Sequence, residues 1–475
     1  MSVVTNTTTI GAIELPSRRN TELMLLGFAV AIPVFAYANV GLALTGKLPA
    51  GMLGYGIGLA LLAGVAHLVV RKFAKYADPL MLPLATLLNG LGLVLIWRLD
   101  QSPRLNALPS FSPQATNQLM YSALGVALFV GVLVLLKDHR VLQRYTYISM
   151  AASLVLLLLP LVPGLGTDVF GAKIWIRVGG FSIQPGEFAK IVIAVFFSGY
   201  LMVKRDALAL ASRRFMGLYL PRGRDLGPIL TIWAMSLLVL VFENDLGTSL
   251  LFFGMFVIML YVATERTSWI VMGLLMSAGG AVLVSQFATH VQSRVAAWLD
   301  PFECLKTAPP NSNMAYACDQ MTEVLMSFGS GGTLGTGLGQ GDSDLILFAA
   351  NSDFIFATVG EELGLAGVMA FLLLYGLIIE RGVRTALAAR DPFGKLFAIG
   401  LTGAFALQVF VVAGGVMGLI PLTGMTMPFL AAGGSSVIAN WALIGILIRI
   451  SDTARRPAPA PAPNPDAEMT QVVRP

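Results

Sequence analysis

The sequence predicts an all-α polytopic membrane protein, with about 12 transmembrane helices and one long polar loop. Three observations lead there. Of 475 residues, 56% are hydrophobic and only 12% charged, where a soluble domain carries about 25% charged residues. Mean hydropathy is +0.77, and several runs long enough to span a bilayer pass almost without charge, as helices do and barrel strands do not. The basic residues are also segregated along the chain, as the positive-inside rule requires.

Residues 1–20 are polar and Thr-rich and end in Ser17, Arg18 and Arg19. They read as a short disordered tail with no cleavable leader, because a basic leader is missing and the first apolar run is already of full-span length. Spans are expected near 21–45, 52–70, 79–97, 118–136, 146–163, 185–203, 227–243, 246–263, 268–287, 352–379, 397–419 and 427–448. If the N-terminus is inside, 23 of the 31 Lys and Arg fall on the cytoplasmic side. The exceptions are Lys47, Arg98, Arg104, Lys173, Arg177, Lys190, Arg294 and Lys306. Both termini are therefore expected in the cytoplasm, and the 288–350 loop outside. In a membrane chain the net charge of +5 expresses this bias, so nucleic acid is not an expected partner. The tail from 457 onward, PAPAPAPNPDAEMTQVVRP, is Pro-rich and cannot form a packed core.

The outer loop holds the two cysteines of the chain, Cys304 and Cys318. Outside the membrane they can form a disulfide worth about 3 kcal/mol; the alternative is two unpaired small residues. The same loop carries GSGGTLGTGLGQG, which superficially has the look of a phosphate loop. No GK[ST] follows, so a close-packed turn or re-entrant segment is the expected structure. The three histidines, His67, His139 and His290, show no metal spacing.

Polar clusters gather at the outer half of the membrane. In TDVFGAKIWIRVGGFSIQPGEFAK, Pro185 can start a helix with Glu187 in its first turn and Lys190 one turn on. That pair is either an internal ion pair or the lining of a polar cavity. In FENDLGTS, Asp245 can cap the helix beginning near Leu246. In NSDFIFATVGEELG, Asp353 opens a span and Glu361 and Glu362 lie within it, where at least one must face protein or water. In GLIPLTGMTMPFLAAGGSS, Pro and Gly interrupt the apolar run, which is tolerable only where backbone is buried in protein or lines a wet cavity. With Lys173, Arg177, Lys190 and Arg294 nearby, the expected substrate has an anionic head at the outer leaflet.

These blocks, in this order, resemble the SEDS family (shape, elongation, division and sporulation; the RodA, FtsW and SpoVE type). GAKIWIRVGGFSIQPGEFAK resembles the family's GAxRW…QPSExxK, NDLGTS its PDLGTS, and SDFIFATVGEELGLAG its TDFIFAxxxEELGxxG. IPLTGMTMPFLAAGGSS resembles its LPxxGxxLPxxSxGGSS. The resemblance covers residues 79–450 and implies a ten-span core preceded by two additional spans at 21–78, most like actinobacterial RodA-type members. It implies a peptidoglycan glycosyltransferase that polymerises lipid II outside the membrane beside a class B penicillin-binding protein, within the elongation or division machinery. It adds Trp175, Ser435 and Ser436 to Lys173, Arg177, Glu187, Lys190, Asp245, Arg294, Asp353 and Glu361 as substrate-binding candidates. In an inverting transfer a carboxylate would deprotonate the acceptor hydroxyl, and cationic groups, with or without a divalent Mg or Mn ion, would stabilise the departing pyrophosphate.

Departures fall where the family keeps its catalytic Asp. WLDPFECLKTAPPNSNMAYACDQ puts Cys304 at that position, so Asp300, Glu303 and Asp319 stand as alternatives for one general base. Ile174 replaces the Arg of GAxRW, leaving Lys173 or Arg177 to compensate. Two rival readings follow: a catalytically weak homologue that scaffolds a penicillin-binding protein, and a flippase of lipid-linked precursors. The flippase would need polar residues continuous through the membrane.

Overall fold

A computed structural model describes residues 17–457, except 110, 170–171, 180, 211–212, 216–217, 221–231, 233, 236–237, 239–244 and 287. Among the described residues eleven helices are long and apolar enough to cross a membrane. They begin with α1 (Arg19–Thr45), α2 (Met52–Phe73) and α3 (Met81–Asp100). After the short α4 (Pro103–Asn106) come α5 (Ala115–Leu135) and a 3-10 turn leading into α6 (Thr146–Leu158). An antiparallel meander of β1 (Gly166–Val169), β2 (Ala172–Val178) and β3 (Phe181–Ile183) leads into α7 (Pro185–Leu210). A hairpin of β4 (Arg213–Phe215) and β5 (Leu218–Leu220) precedes α8 (Leu246–Thr264) and α9 (Ser268–Ser285). The long loop folds as α10 (Thr289–Leu299), α11 (Pro301–Thr307) and α12 (Asn313–Gly331). The chain closes with α13 (Ile355–Glu362), α14 (Gly364–Ala388), α15 (Pro392–Val416) and α16 (Gly434–Arg455). The expected span at 227–243 and the two expected disordered ends lie outside the described residues for most or all of their length, though α1 already includes Arg19.

Helix α16 is the axis of the bundle, 89% enclosed along its apolar window where α2 is 28% enclosed. It packs on α5, α7, α14, α15 and α3. Without a hydrophobic drive between helices in lipid, close approach of small residues holds such bundles together. Gly92 in α3 shows the tolerance: a Cβ there would lie 2.5 Å from the carbonyl oxygen of Phe429. The α1–α2 hairpin lies against α3, where Tyr37 stacks near Trp97 with centroids 4.3 Å apart.

One expected boundary is corrected. The tenth span starts at Gly364 and not near 352, because the helix breaks after Leu363, where Gly364 takes a φ of 63°. Asp353, Glu361 and Glu362 therefore precede the span. Both glutamates are buried, and they latch the glycine-rich turn. Glu361 Oε1 accepts from the Asp342 backbone N–H at 3.0 Å, and Glu362 Oε2 from Gly339 N–H at 2.9 Å. Glu362 also pairs with Arg98 of α3 at 2.5 Å. The run GSGGTLGTGLGQG is thus a close-packed turn whose Gly335, at φ 85°, passes so near the Glu362 carbonyl that a Cβ would meet it at 2.2 Å.

Candidate functional site

A polar concavity lies beneath the folded 288–350 loop. Helix α10 contributes His290, Arg294 and Trp298, which are spaced four apart and share one face. Helix α12 contributes Tyr316 and Gln320, and the turn before α13 contributes Asp353. The cavity has a volume of about 390 Å³.

The non-helical strap 417–433 between α15 and α16 closes one side. It is held by α10 at two points: Arg294 Nη1 donates to the Leu422 carbonyl at 2.8 Å, and Trp298 Nε1 to that of Gly418 at 2.9 Å. Its interrupted backbone is therefore satisfied inside the protein, as such segments at membrane depth must be.

Arg294 interacts electrostatically with two carboxylates, Asp353 and Asp245. Asp245 is buried and caps α8. Its Oδ1 accepts from Thr248 N–H at 3.0 Å and its Oδ2 from the Thr248 hydroxyl at 2.5 Å. Asp353 lies deep in the protein but keeps part of its surface open to the cavity. Burial pushes its carboxyl up to about 6; Arg294 pulls it down, and Asp245 pushes it further up. Burial, aided by Arg294, lowers His290 to about 4, so the imidazole is neutral at pH 7.

Among the described residues, no group of three or more His, Cys, Asp or Glu is placed to hold a metal ion. The donor set here does not by itself make a divalent cation site, since both oxygens of Asp245 serve Thr248. The positive charge of the cavity is that of Arg294.

A second polar cluster is buried among α7, α15 and α16. Lys190 Nζ donates to Glu187 Oε2 at 2.6 Å, Gln408 Oε1 at 2.8 Å and Asn440 Oδ1 at 3.1 Å. Gln408 Nε2 reaches back to the strap at the Thr426 carbonyl, 3.0 Å away. Asn440 Nδ2 donates to Ser436 Oγ, and Ser435 Oγ accepts from Gln184 N–H at 2.9 Å. The cluster thereby ties the start of α7, the strap and the start of α16 together.

The remaining sequence candidates are dispersed. Lys173 and Arg177 are exposed on β2, and Trp175 is half-buried on the same strand. Glu361 serves the glycine turn. None of Asp300, Glu303 or Asp319 lines the cavity. Asp300 caps α11, accepting from Glu303 N–H at 3.0 Å. Glu303 is exposed and pairs with Lys306 at 3.4 Å. Asp319 sits partly exposed on α12 beside Glu323. Sequence reasoning missed His290, Trp298, Tyr316 and Gln320, although the four-residue spacing of His290, Arg294 and Trp298 was a usable signal.

Cys304 and Cys318 are joined, with Cα atoms 5.9 Å apart, and staple α11 to α12. Non-reducing peptide maps of the oxidised protein should show the two peptides linked. Replacing both by Ser should destabilise the α10–α12 subdomain by about 3 kcal/mol in the chain-entropy model. Limited proteolysis would read this as faster cleavage between 300 and 331; an unchanged pattern would mean that packing alone holds the subdomain.

A family model for cell cycle proteins of the FtsW/RodA/SpoVE type matches residues 78–456. The chain is 48% identical over 445 residues to the peptidoglycan glycosyltransferase RodA of Mycobacterium tuberculosis, covering 93% of this chain and 92% of that one. It is 31% identical to the probable peptidoglycan glycosyltransferase FtsW of Geobacter metallireducens, covering 80% and 96%. The structure resembles that of the rod shape determining protein RodA of Thermus thermophilus, with a TM-score of 0.53 at 23% identity over 80% of this chain and 98% of that one. It also resembles a chain from a structure described as coordinating polymerization and crosslinking in a peptidoglycan synthase complex, with a TM-score of 0.52 at 23% identity over 85% and 98%.

Proposed function

The chain belongs to the FtsW/RodA/SpoVE family of cell cycle proteins, and from that premise we propose that it is a multi-pass membrane peptidoglycan glycosyltransferase polymerising lipid II. The observation that carries this reading is the cavity beneath the outer loop, with a guanidinium and a carboxylate facing the same space. Lipid II presents a sugar joined through pyrophosphate to a membrane-embedded chain. Transfer requires a cation where negative charge builds on the departing pyrophosphate and a base for the acceptor hydroxyl. Arg294 offers the first, held in place by Leu422. The strap and the Lys190 cluster fix the wall against which the sugar would lie.

The distribution of Lys and Arg supports cytoplasmic termini and an outward cavity. Residues 21–78 add two spans ahead of the core at 79–450. A class B penicillin-binding protein is the fitting partner, since polymer without crosslinks makes no wall. The test is to supply lipid II to the purified protein with such a partner whose own transferase activity is absent. Glycan chains resolved on a gel are the expected result. Their absence with an authenticated partner would favour the scaffold reading.

A further inference from the structure

We propose that the end of the bundle where α1 starts and α2 and α5 finish is a binding site for an anionic phospholipid. The site is independent of the glycosyltransferase reading and rests only on this end of the bundle facing the cytoplasm. Contacts to backbone carbonyls bring its parts together. Arg449 of α16 donates from Nη1 to the Phe73 carbonyl at 2.6 Å and from Nη2 to the Leu133 carbonyl, so the last turns of α2 and α5 meet on one guanidinium. Arg19 donates to the Ala77 carbonyl, which ties the start of α1 to the segment after α2. Around this junction Arg18, Arg71, Lys72, Lys75 and Lys137 are all exposed.

The acids of the same corner are engaged internally. Glu22 pairs with Arg19 and His67, Asp78 with Arg455 at 2.6 Å, and Asp452 with Arg456 at 2.7 Å. Asp138 caps the 3-10 turn before α6, accepting from Arg140 N–H at 2.9 Å. Among the described residues none of the five exposed cations has a carboxylate within ion-pair distance. Lys72 and Lys75 lie only over the rings of Phe73 and Tyr76, at 5.4 and 5.8 Å. What remains is a cluster of uncompensated positive charge at the membrane surface, which attracts anionic headgroups. A lipid fits it better than a soluble anion, because the cluster stands at the end of an apolar stripe. Leu61, Val65 and Leu68 of α2 are exposed, and Lys72 comes next on the same helical face. Acyl chains along the stripe would bring the phosphate to Lys72 and its neighbours. Four of the five cations precede residue 78, where the family match begins, so the helices ahead of that core build most of the site.

The test is to titrate the full chain in detergent with dioleoyl phosphatidylglycerol or dioleoyl phosphatidylcholine and to count bound lipid by native mass spectrometry. Phosphatidylglycerol should be retained at concentrations where phosphatidylcholine is not. Combining Arg71→Gln, Lys72→Gln, Lys75→Gln and Lys137→Gln should weaken phosphatidylglycerol binding by about tenfold or more, since each Lys or Arg at such a surface is worth a factor of about five. Combining Arg144→Gln, Lys204→Gln, Arg205→Gln and Lys395→Gln removes the same charge from the same side of the membrane and should leave binding near wild type. All eight positions are exposed, so unchanged thermal midpoints serve as the folding control. Equal weakening by the two sets would mean diffuse attraction and overturn the site, as would phosphatidylcholine bound as tightly as phosphatidylglycerol. Excess glycerol phosphate should fail to displace the lipid; displacement would assign the cluster to a soluble anion and overturn the proposal.

Discussion

Lys190→Ala is expected to abolish polymer formation in protein that still inserts in the membrane. The Nζ group holds three side chains at once, from α7, α15 and α16. Removing it leaves Glu187 buried with its charge uncompensated, and breaking such a pair costs about 3–5 kcal/mol. Gln408, the link from this cluster to the Thr426 carbonyl of the strap, loses its anchor as well. Arg294 of α10 holds the same strap at the Leu422 carbonyl, so the damage passes from the bundle to the cavity. Glu187→Gln combined with Lys190→Met removes both charges together and should recover much of the stability without the activity. The thermal midpoint in detergent and the polymer yield, measured side by side, separate the two effects. Unchanged yield in Lys190→Ala would reduce the cluster to a dispensable ion pair.

Arg98→Ala should destabilise the glycine turn and its packing on α3 by a similar amount, about 3–5 kcal/mol. The guanidinium pairs with Glu362 through Nε and donates from Nη2 to the Gly341 carbonyl, so it closes the glycine turn over α3. Loss of the arginine strands Glu362, which is fully enclosed. Arg98→Lys should rescue only in part, because an ammonium cannot reproduce a planar fork aimed at two acceptors. Hydrogen exchange should rise first at the amides of Thr336, Gly337 and Gly339, which donate to the Glu361–Glu362 segment. Protection that survives Arg98→Ala at those amides would mean that backbone contacts alone hold the turn.

Much of the fold was legible because apolar length and the segregation of basic residues are properties of the chain read locally. The cap at Asp245 was legible for the same reason, since an Asp just before a helix can serve its own N-terminus. Other features depend on residues far apart in sequence. The acids at 361 and 362 sit in an apolar run, and only the glycine turn folding back on them shows why the span begins later. Arg294 and Asp353 could each be singled out from the sequence, but their sharing one cavity depends on the 288–350 loop folding over the strap. The base candidates at 300, 303 and 319 were chosen by proximity to a motif. In the structure Asp300 caps α11, Glu303 faces solvent beside Lys306, and Asp319 sits partly exposed on α12.

The most direct test of the central claim, that lipid II reacts in the cavity beneath the 288–350 loop, is photo-crosslinking of bound lipid II. A photoreactive residue at Gln320 in the cavity should capture the labelled lipid, competed away by unlabelled lipid II, whereas one at Leu275, on the outer face of α9, should not. Equal capture at both positions, or capture at Leu275 alone, would place the substrate elsewhere and contradict the site described above.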